Sequence, residues 1–209
     1  MSRLTDGVKL LKLILVRHGE TFWNEERRVQ GGSSDIELND AGVKQAHRLA
    51  SFLKNEDIAV IVSSHLKRAK ATAEAIASQH QLSVELDDRL REVEVGELEG
   101  LSFSSLSTTF SQFLRKWWAG GGSEKLPGGE SLVELQQRAW TVIEHLLAKC
   151  SERTVVVVSH YFAIIAIILK ALDLPLDSFT KFKVDPGGVS ILEIRDRGTR
   201  LVSLNDTSY

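Results

Sequence analysis

An apolar run close to the start of the chain, LLKLILV at residues 10–16, leads directly into the tetrapeptide RHGE at residues 17–20. A short apolar run that ends beside a glycine predicts a buried strand. Such a strand would carry Arg17 and His18 to the carboxyl edge of a sheet, where open α/β sheets hold their ligands. Arginine is well shaped to bind phosphate, and histidine is a nucleophile or an acid–base group near neutral pH. Arg17 and His18 are therefore the first candidate site residues.

The rest of the chain alternates between strand and helix patterns. The predicted strands are 11–16, 58–62, 83–86, 154–158, 189–194 and 200–204. The predicted helices are 40–55, 66–80, 104–118, 130–151 and 161–172. Nearly continuous β-branched runs such as 154–158 are typical of strands that are covered on both faces. The pattern predicts an α/β fold, a three-layer sandwich in which helices flank a mostly parallel central sheet.

The predicted helix 40–55 is recognised by its cap and by its apolar stripe. Asp40 stands where an N-cap is expected, and an apolar stripe at helical spacing follows it. The stripe consists of Val43, Ala46, Leu49, Ala50 and Leu53.

Composition limits the possible partners and the compartment. The chain has 209 residues, a net charge of −2 and a pI near 6.3, so it carries no basic footprint for nucleic acid or an anionic membrane. Its one cysteine, Cys150, excludes an internal disulfide and a cysteine-rich zinc site. Residues 1–7 contain no apolar stretch of signal-peptide length, and the apolar segment 155–169 is interrupted by Ser159 and His160. The expected location is the cytoplasm.

One segment departs from the regular alternation, namely residues 101–131. It contains several aromatic residues and then two glycine clusters, at 120–122 and 128–129. The aromatic residues are Phe103, Phe110, Phe113, Trp117 and Trp118. Two interpretations are open: a helical lid over a site, or an amphipathic helix that packs on the core. Because there is no repeat and no long linker, we expect a single domain over residues 1–209 with the lid segment inserted at about 101–131.

Polar clusters follow three further predicted strands. Arg68 follows strand 58–62, Glu92 follows strand 83–86, and His160 follows strand 154–158. If these strands are parallel neighbours, their ends meet in one crevice. The expected site is then formed by Arg17, His18, Arg68, Glu92 and His160.

This set has the chemistry of phosphoryl transfer. The charge on the three phosphoryl oxygens can be stabilised by two arginines and a protonated His160. A neutral His18 can attack phosphorus and form a phosphohistidine. Glu92 can protonate the leaving alcohol and then, as a carboxylate, activate water. The neighbouring cations would lower the pKa of Glu92 and burial would raise it, and the sequence leaves open which effect is larger.

The motifs resemble those of the histidine phosphatase superfamily, the phosphoglycerate mutase-like proteins, over nearly the whole chain and in the family's order. The first motif is RHGET at 17–21, with Asn24 following. The later motifs are RVQG at 28–31, SSHLKRA at 63–69, LRE at 90–92, PGGES at 127–131 and VSH at 158–160.

The resemblance implies a role for each site residue. His18 would be the phosphorylated nucleophile and Glu92 the proton donor. The phosphate pocket would comprise Arg17, Arg68 and His160, with hydrogen bonds from Asn24 and Gln30. No metal and no cofactor are implied. Tyr161 stands where the family usually has glycine, so that it either contacts the substrate or packs against the lid, and we favour packing.

The resemblance implies a phosphomonoesterase that acts on a small phosphorylated metabolite, similar to α-ribazole phosphatase or to broad-specificity and phosphoserine phosphatases. A cofactor-dependent phosphoglycerate mutase is the alternative. Such mutases typically carry Glu-Arg-His-Tyr-Gly at the acid motif, where this chain has EVEVG at 92–96. A non-catalytic phospho-ligand module would be expected to have lost one of His18, Glu92 and His160. The oligomeric state is open, although the strand 200–204 could pair across a homodimer axis.

Overall fold

A single mixed sheet of six strands forms the centre of the computed structural model, which describes residues 10–120 and 122–209. The expectations for residues 1–7 and for Gly121 in the first glycine cluster lie outside the described residues. The strands are β1 (Leu10–Arg17), β2 (Ile58–Ser63), β3 (Val84–Leu86), β4 (Thr154–Ser159), β5 (Val189–Arg195) and β6 (Gly198–Asp206). All six predicted strands are present.

The strand order is β3-β2-β4-β1-β5-β6. The first four strands are parallel to one another, whereas β5 is antiparallel to β1 and β6 is antiparallel to β5. Only Asp196 and Arg197 separate β5 from β6, and so short a connection joins antiparallel strands. The prediction of a mostly parallel α/β sheet is confirmed.

The helices are α1 (Phe22–Glu25), α2 (Asp40–Leu53), α3 (Lys67–His80), α4 (Phe103–Thr109), α5 (Ser111–Ala119), α6 (Leu132–Lys149) and α7 (Tyr161–Ala171). Short 3-10 helices lie at Asp88–Leu90, Gly96–Leu98 and Leu176–Lys181. Helix α6 begins at Leu132 and not at residue 130, because Ser131 is its N-cap: the Ser131 hydroxyl accepts from the Glu134 N–H while the Glu134 carboxylate accepts from the Ser131 N–H.

Helices cover both faces of the sheet, which gives three layers. Alternate side chains of β1 enter different clusters, with Leu13 packing on the α6 and α7 side and Ile14 on the α2 and α3 side. Full burial of each such side chain stabilises the fold by about 1.5–3 kcal/mol. Within the described ranges, no helix has the length and apolarity needed to cross a membrane.

Three local expectations are wrong. Asn39, not Asp40, caps α2, because its side chain accepts from the Gly42 N–H at 2.8 Å, while Asp40 lies in the first turn. Val43 is 43% exposed and does not belong to the buried stripe. The helix predicted at 104–118 is broken at Phe110 into α4 and α5, consistent with the low helix propensity of the preceding threonines, 108–109.

Candidate active site

The carboxyl ends of the central parallel strands bring four of the predicted site residues together. Arg17 ends β1, and its register partner Ser159 ends β4 directly before His160. The His18 N–H donates to the Ser159 carbonyl oxygen at 3.0 Å, which joins the two strand ends. Arg68 enters from the first turn of α3, just after the neighbouring strand β2.

The backbone after β1 is packed too closely for any side chain at two positions. A Cβ added at Gly19 would lie 2.6 Å from the Gly42 carbonyl oxygen, and one at Gly42 would lie 2.0 Å from the Glu20 carbonyl oxygen. The start of α2 therefore rests directly on the segment that follows His18. This contact explains the glycine of the RHGE tetrapeptide and fixes the position of the histidine.

His18 is held in one tautomer. Its Nδ1 lies 2.7 Å from the Gly19 carbonyl oxygen, and because a carbonyl only accepts, Nδ1 carries the hydrogen. The other ring nitrogen, Nε2, is then the one with a lone pair. Burial, followed by the positive charges of Arg68 and Arg17, lowers the pKa of His18 well below its usual value. The imidazole is therefore neutral and suited to nucleophilic attack.

The buried Arg68 and the partly buried Arg17 leave donors without protein acceptors. Arg68 is fully buried, and it donates from Nη1 to the Ser34 carbonyl oxygen at 2.6 Å and from Nη2 to the Gly31 carbonyl oxygen at 2.9 Å. Arg17 donates from Nη1 to the Val184 carbonyl oxygen at 2.7 Å. Burial lowers the pKa of Arg68 to about 10, so that it stays charged at neutral pH.

Several buried nitrogens have no hydrogen-bond partner among the described residues. Five of them belong to candidate site residues, namely Nε of Arg17, Nε of Arg68, Nε2 of Gln30, and Nδ1 and Nε2 of His160, and a sixth is Nε2 of His80 at the end of α3. Buried polar groups are normally paired, because an unpaired donor loses its hydration without compensation. Their concentration around the candidate site matches a ligand with several oxygen acceptors, such as a phosphate.

The two predicted amide side chains lie at the same site. The Thr21 N–H and hydroxyl lie 3.1 and 3.0 Å from Oδ1 of Asn24, and the hydroxyl also lies 3.2 Å from Oε1 of Gln30. Since both amide oxygens already accept from Thr21, each side chain offers its NH₂ group. Asn24 and Gln30 both line the cavity described below.

His160 is completely buried between charged groups. Its ring centroid lies 5.1 Å from that of His18. Burial, followed by the positive charge of Arg68, lowers the pKa of His160 well below its usual value. With only protein groups around it the His160 imidazole is therefore neutral, and the expectation of a protonated His160 beside a phosphate stays a prediction.

Glu92 resolves the question that the sequence left open. Its Oε1 accepts from the Val93 N–H at 2.9 Å, and its Oε2 accepts from the Phe162 N–H at 3.1 Å in the first turn of α7. These hydrogen bonds and the nearby arginines lower the pKa of Glu92, but burial is the larger effect and the pKa is raised. The carboxyl group is thus adjusted toward the neutral form that a proton donor requires.

Sequence reasoning missed the residue that holds the Glu92 loop. Arg138 on α6 donates from Nη1 to the Arg89 and Arg91 carbonyl oxygens at 2.7 Å each, and from Nη2 to the Glu92 carbonyl oxygen at 2.8 Å. It also forms a largely buried ion pair with Glu130. One signal could have found it: Arg138 lies beside Leu135 and Ala139 in the buried stripe of α6, where an unpaired charge is costly.

Tyr161 lies beside Arg17, and the favoured expectation that it packs against the lid stays a prediction. Its ring centre is 5.3 Å from Cζ of Arg17, and its hydroxyl donates to the Phe182 carbonyl oxygen at 3.2 Å. Trp117 of α5 instead contacts Phe162, the residue after Tyr161, and the two ring centroids are 5.9 Å apart. Tyr161 also lines the cavity, as the alternative expectation requires.

A cavity of about 630 Å³ opens over Arg17, His18 and Glu92. Its opposite wall, called the lid wall below, comes from α4, α5 and the loop before α6. The lid wall consists of Phe103, Leu106, Leu114, Trp117, Trp118 and Leu126. Phe110 and Phe113 pack against the core cluster instead. Arg68 and His160 are fully buried and lie behind the residues that line the cavity.

Exposed charged residues line the same cavity and were not anticipated as site residues. They are Arg27, Arg28 and Lys183. Two of them have acidic partners, since Arg28 pairs with Glu26 at 2.6 Å and Lys183 pairs with Asp185 at 2.9 Å. Arg28 opens the RVQG motif but was not assigned a role, and the distant Lys183 is brought to the same cavity only by the fold.

Comparison with known proteins identifies the family. Residues 13–207 match the sequence profile of the histidine phosphatase superfamily (branch 1). The chain belongs to this superfamily. A probable phosphoglycerate mutase of Yersinia pestis (strain Pestoides F) is 32% identical over 205 residues, which cover 96% of this chain and 95% of the relative. The sequence-based recognition of the family is confirmed.

Solved structures with this fold are named as phosphatases. A mycobacterial glucosyl-3-phosphoglycerate phosphatase in complex with VO3 superposes with a TM-score of 0.86 at 30% identity, covering 94% of this chain and 99% of that chain. A phosphoserine phosphatase mutant from Entamoeba histolytica in complex with phosphoserine gives 0.83 at 31%, covering 95% and 98%. A putative alpha-ribazole-5′-P phosphatase from Escherichia coli gives 0.84 at 26%, covering 94% and 96%. Family and neighbours together support a phosphatase or mutase activity.

Proposed function

We propose that this protein is a phosphomonoesterase that hydrolyses a small phosphorylated metabolite through a phosphohistidine on His18. The observation that carries the proposal is the hydrogen bond from Nδ1 of His18 to the Gly19 carbonyl oxygen, which leaves Nε2 as the nucleophilic nitrogen. A neutral imidazole beside two arginines is the arrangement that attack on a phosphate ester needs.

The phosphate would bind to the donors that have no partner in the protein. Nε of Arg17 and Nε of Arg68 would donate to its oxygens, together with the amide NH₂ groups of Asn24 and Gln30. The negative charge of the ligand would raise the pKa of His160, so that this residue gains its proton as the phosphate binds. His160 then acts as the third cation of the pocket.

In the first step the Nε2 lone pair of His18 attacks phosphorus and the bond from phosphorus to the ester oxygen breaks. Glu92 donates its carboxyl proton to the departing alkoxide, so that a neutral alcohol leaves. The raised pKa of Glu92 keeps that proton available before the step.

In the second step water attacks the phosphohistidine. The Glu92 carboxylate takes a proton from the water, its oxygen bonds to phosphorus, and the phosphorus–nitrogen bond breaks. Inorganic phosphate leaves, His18 is neutral again and Glu92 is again protonated. The proposal needs no metal, since Arg17, Arg68 and His160 supply the positive charge.

The decisive experiment measures hydrolysis of p-nitrophenyl phosphate by the wild type and by His18→Ala in the presence of EDTA. We expect activity in the wild type and a loss of at least ~10³-fold in the variant. A phosphoenzyme should form only on wild-type protein and should be stable in alkali and labile in acid. Inactive wild type would favour a non-catalytic phospho-ligand module, and loss of activity with EDTA would refute the metal-free step.

A mutase remains the second candidate, because a relative at 32% identity is named a probable phosphoglycerate mutase. A mutase returns the phosphoryl group to the substrate, whereas a phosphatase releases it to water. We therefore expect incubation with 3-phosphoglycerate to yield at most inorganic phosphate. Formation of 2-phosphoglycerate would overturn the hydrolase proposal and establish the mutase.

A further inference from the structure

The two sides of the cavity differ in their chemistry. The sheet-edge side presents Arg17, His18 and Glu92, which suffice for one phosphate group and its ester oxygen. The lid wall presents six apolar side chains, of which three are aromatic and none is charged. A ligand whose phosphate lies on the sheet-edge side must therefore place the remainder of its structure against an apolar surface.

The size of the cavity also exceeds the needs of a three-carbon acid. Its volume of about 630 Å³ lies within the roughly 300–1,000 Å³ range of pockets that enclose drug-sized ligands. Aromatic rings form part of its lining, and one of them, Trp118, is held by stacking on the buried Phe179 with ring centroids 4.9 Å apart. Surfaces of this kind bind flat apolar groups by burial and by ring stacking.

A carboxylate would find little compensation beyond the phosphate. Two of the three cations at the exposed rim, Arg28 and Lys183, are paired with acidic residues, and Glu20 and Asp185 add negative charge to the same lining. The third, Arg27, lies beside Asn24 and is not part of the lid wall. Removing a carboxylate or ammonium group from water against the lid wall would leave it without a matched partner, which is unfavourable. The surroundings therefore disfavour compact charged substrates such as phosphoserine.

We infer that the substrate of this site is a phosphate monoester of a bulky, largely apolar alcohol that carries a ring system. The inference rests on the proposed function, because it names the substrate class of the same site. The lid wall then acts as the specificity determinant, and the residues at the strand ends act on any ester that reaches them.

A set of phosphate esters of primary alcohols tests the inference. Benzyl phosphate and 2-naphthylmethyl phosphate carry apolar rings, whereas phosphoserine and 3-phosphoglycerate are compact and charged. We expect kcat/KM for the naphthylmethyl ester to exceed that for phosphoserine by about tenfold or more. An equal or greater kcat/KM for phosphoserine or 3-phosphoglycerate would overturn the inference.

Non-hydrolysable phosphonates separate this inference from the proposed function. We expect naphthylmethylphosphonate to bind the wild type more tightly than 2-amino-4-phosphonobutyrate, by isothermal titration calorimetry. If this order holds while no ester is hydrolysed, the hydrolase proposal fails and the inference on ligand class stands. If the order is reversed, the inference fails whatever the activity is.

Two phenylalanines of equal exposure provide a matched pair of variants. Phe103 is 56% exposed and lines the cavity, whereas Phe22 is 57% exposed and does not. We expect Phe103→Ala to lower kcat/KM for the naphthylmethyl ester several-fold and to change that for phosphoserine by less than about twofold. Phe22→Ala should leave both values unchanged. Equal losses on both esters in Phe103→Ala would show a structural role only and would contradict the inference.

A polar substitution inside the lid wall gives a second test. Leu114→Asn places an amide against the bound ring, and Leu174→Asn makes the same change at a residue that is 40% exposed and outside the lining. Only Leu114→Asn should reduce the preference for the naphthylmethyl ester over phosphoserine. An unchanged preference in a variant that melts at the wild-type temperature would refute the role of the lid wall.

Discussion

The strand-end pocket and the lid wall face each other across one cavity and are built in opposite ways. The pocket consists of buried polar groups, such as His18 and Glu92, held by hydrogen bonds to the backbone. The lid wall consists of apolar side chains on two short helices and on the loop before α6, and some of these, such as Phe103, are largely exposed. The difference teaches that the reacting groups are placed on the rigid sheet, whereas selectivity lies on an element that can vary without disturbing them.

Among variants that compare the pocket with the lid wall, Glu92→Gln in the pocket should cause the largest loss of activity. The variant cannot donate a proton, so we expect kcat/KM for an alkyl phosphate to fall by about 10²–10⁴-fold. The loss on p-nitrophenyl phosphate should be much smaller, because p-nitrophenolate leaves without a proton. Equal losses on the two esters would contradict the assignment of Glu92 as the proton donor.

The pH profile provides a second measurement on the same variant. Because burial raises the pKa of Glu92, wild-type kcat/KM for an alkyl ester should fall as the pH rises through that pKa and the carboxyl group loses its proton. This alkaline limb should be absent in Glu92→Gln. Its persistence would assign the limb to another group.

A smaller loss of activity is expected on removal of Arg138, the residue on α6 that positions the Glu92 loop. The double variant Glu130→Gln/Arg138→Met removes both charges of the buried pair and also the donors that hold the Glu92 loop. We expect kcat for an alkyl ester to fall by about 10–100-fold, because small displacements of a proton donor are costly. Inhibition by vanadate, which reports phosphate binding, should change little.

A control and a rescue distinguish positioning from general destabilisation. Arg115→Met, at an exposed position on α5, should have no effect on kcat. Arg138→Lys keeps the charge but cannot reproduce the planar fork of donors. Its kcat should therefore lie between that of the double variant and that of the wild type. If kcat and vanadate binding fall together in the double variant, Arg138 supports the fold as a whole and not the position of Glu92.

The smallest expected effect is that of pH on the free energy of unfolding. The folded-state pKa of His18 and that of His160 are lowered by burial, so the unfolded chain binds more protons below its histidine pKa of about 6.5. The free energy of unfolding should therefore fall as the pH drops below about 6.5, by at most about 1.4 kcal/mol per histidine for one pH unit. Glu92, whose pKa is raised, acts in the opposite direction at lower pH.

Urea unfolding at pH 7.5 and pH 5.5 measures this loss of stability. His160→Gln should show a smaller difference between the two pH values than the wild type. Substitutions in the lid wall, such as Leu114→Asn, should not change the difference. An identical difference in His160→Gln and wild type would mean that the pKa of His160 is the same in the folded and unfolded protein, which would contradict its lowering by burial.

The sequence predicted the sheet and the site residues better than the details around them. The strands were recognisable because apolar runs such as 154–158 are covered on both faces, and the site residues because each follows the end of a strand. The break at Phe110 depends on packing as well as propensity and was not predicted. Arg138 was missed because its partners are carbonyl groups of a distant loop, which no residue type reveals.

The sequence by itself determined which chemical groups exist and which strand end or loop each one occupies. The tertiary structure alone decided their states: a neutral His160, a Glu92 with a raised pKa, and an apolar wall opposite the reacting histidine. The physical reason is that loss of hydration sets these states. Hydration depends on which segments cover a group, and those segments are far apart in the chain.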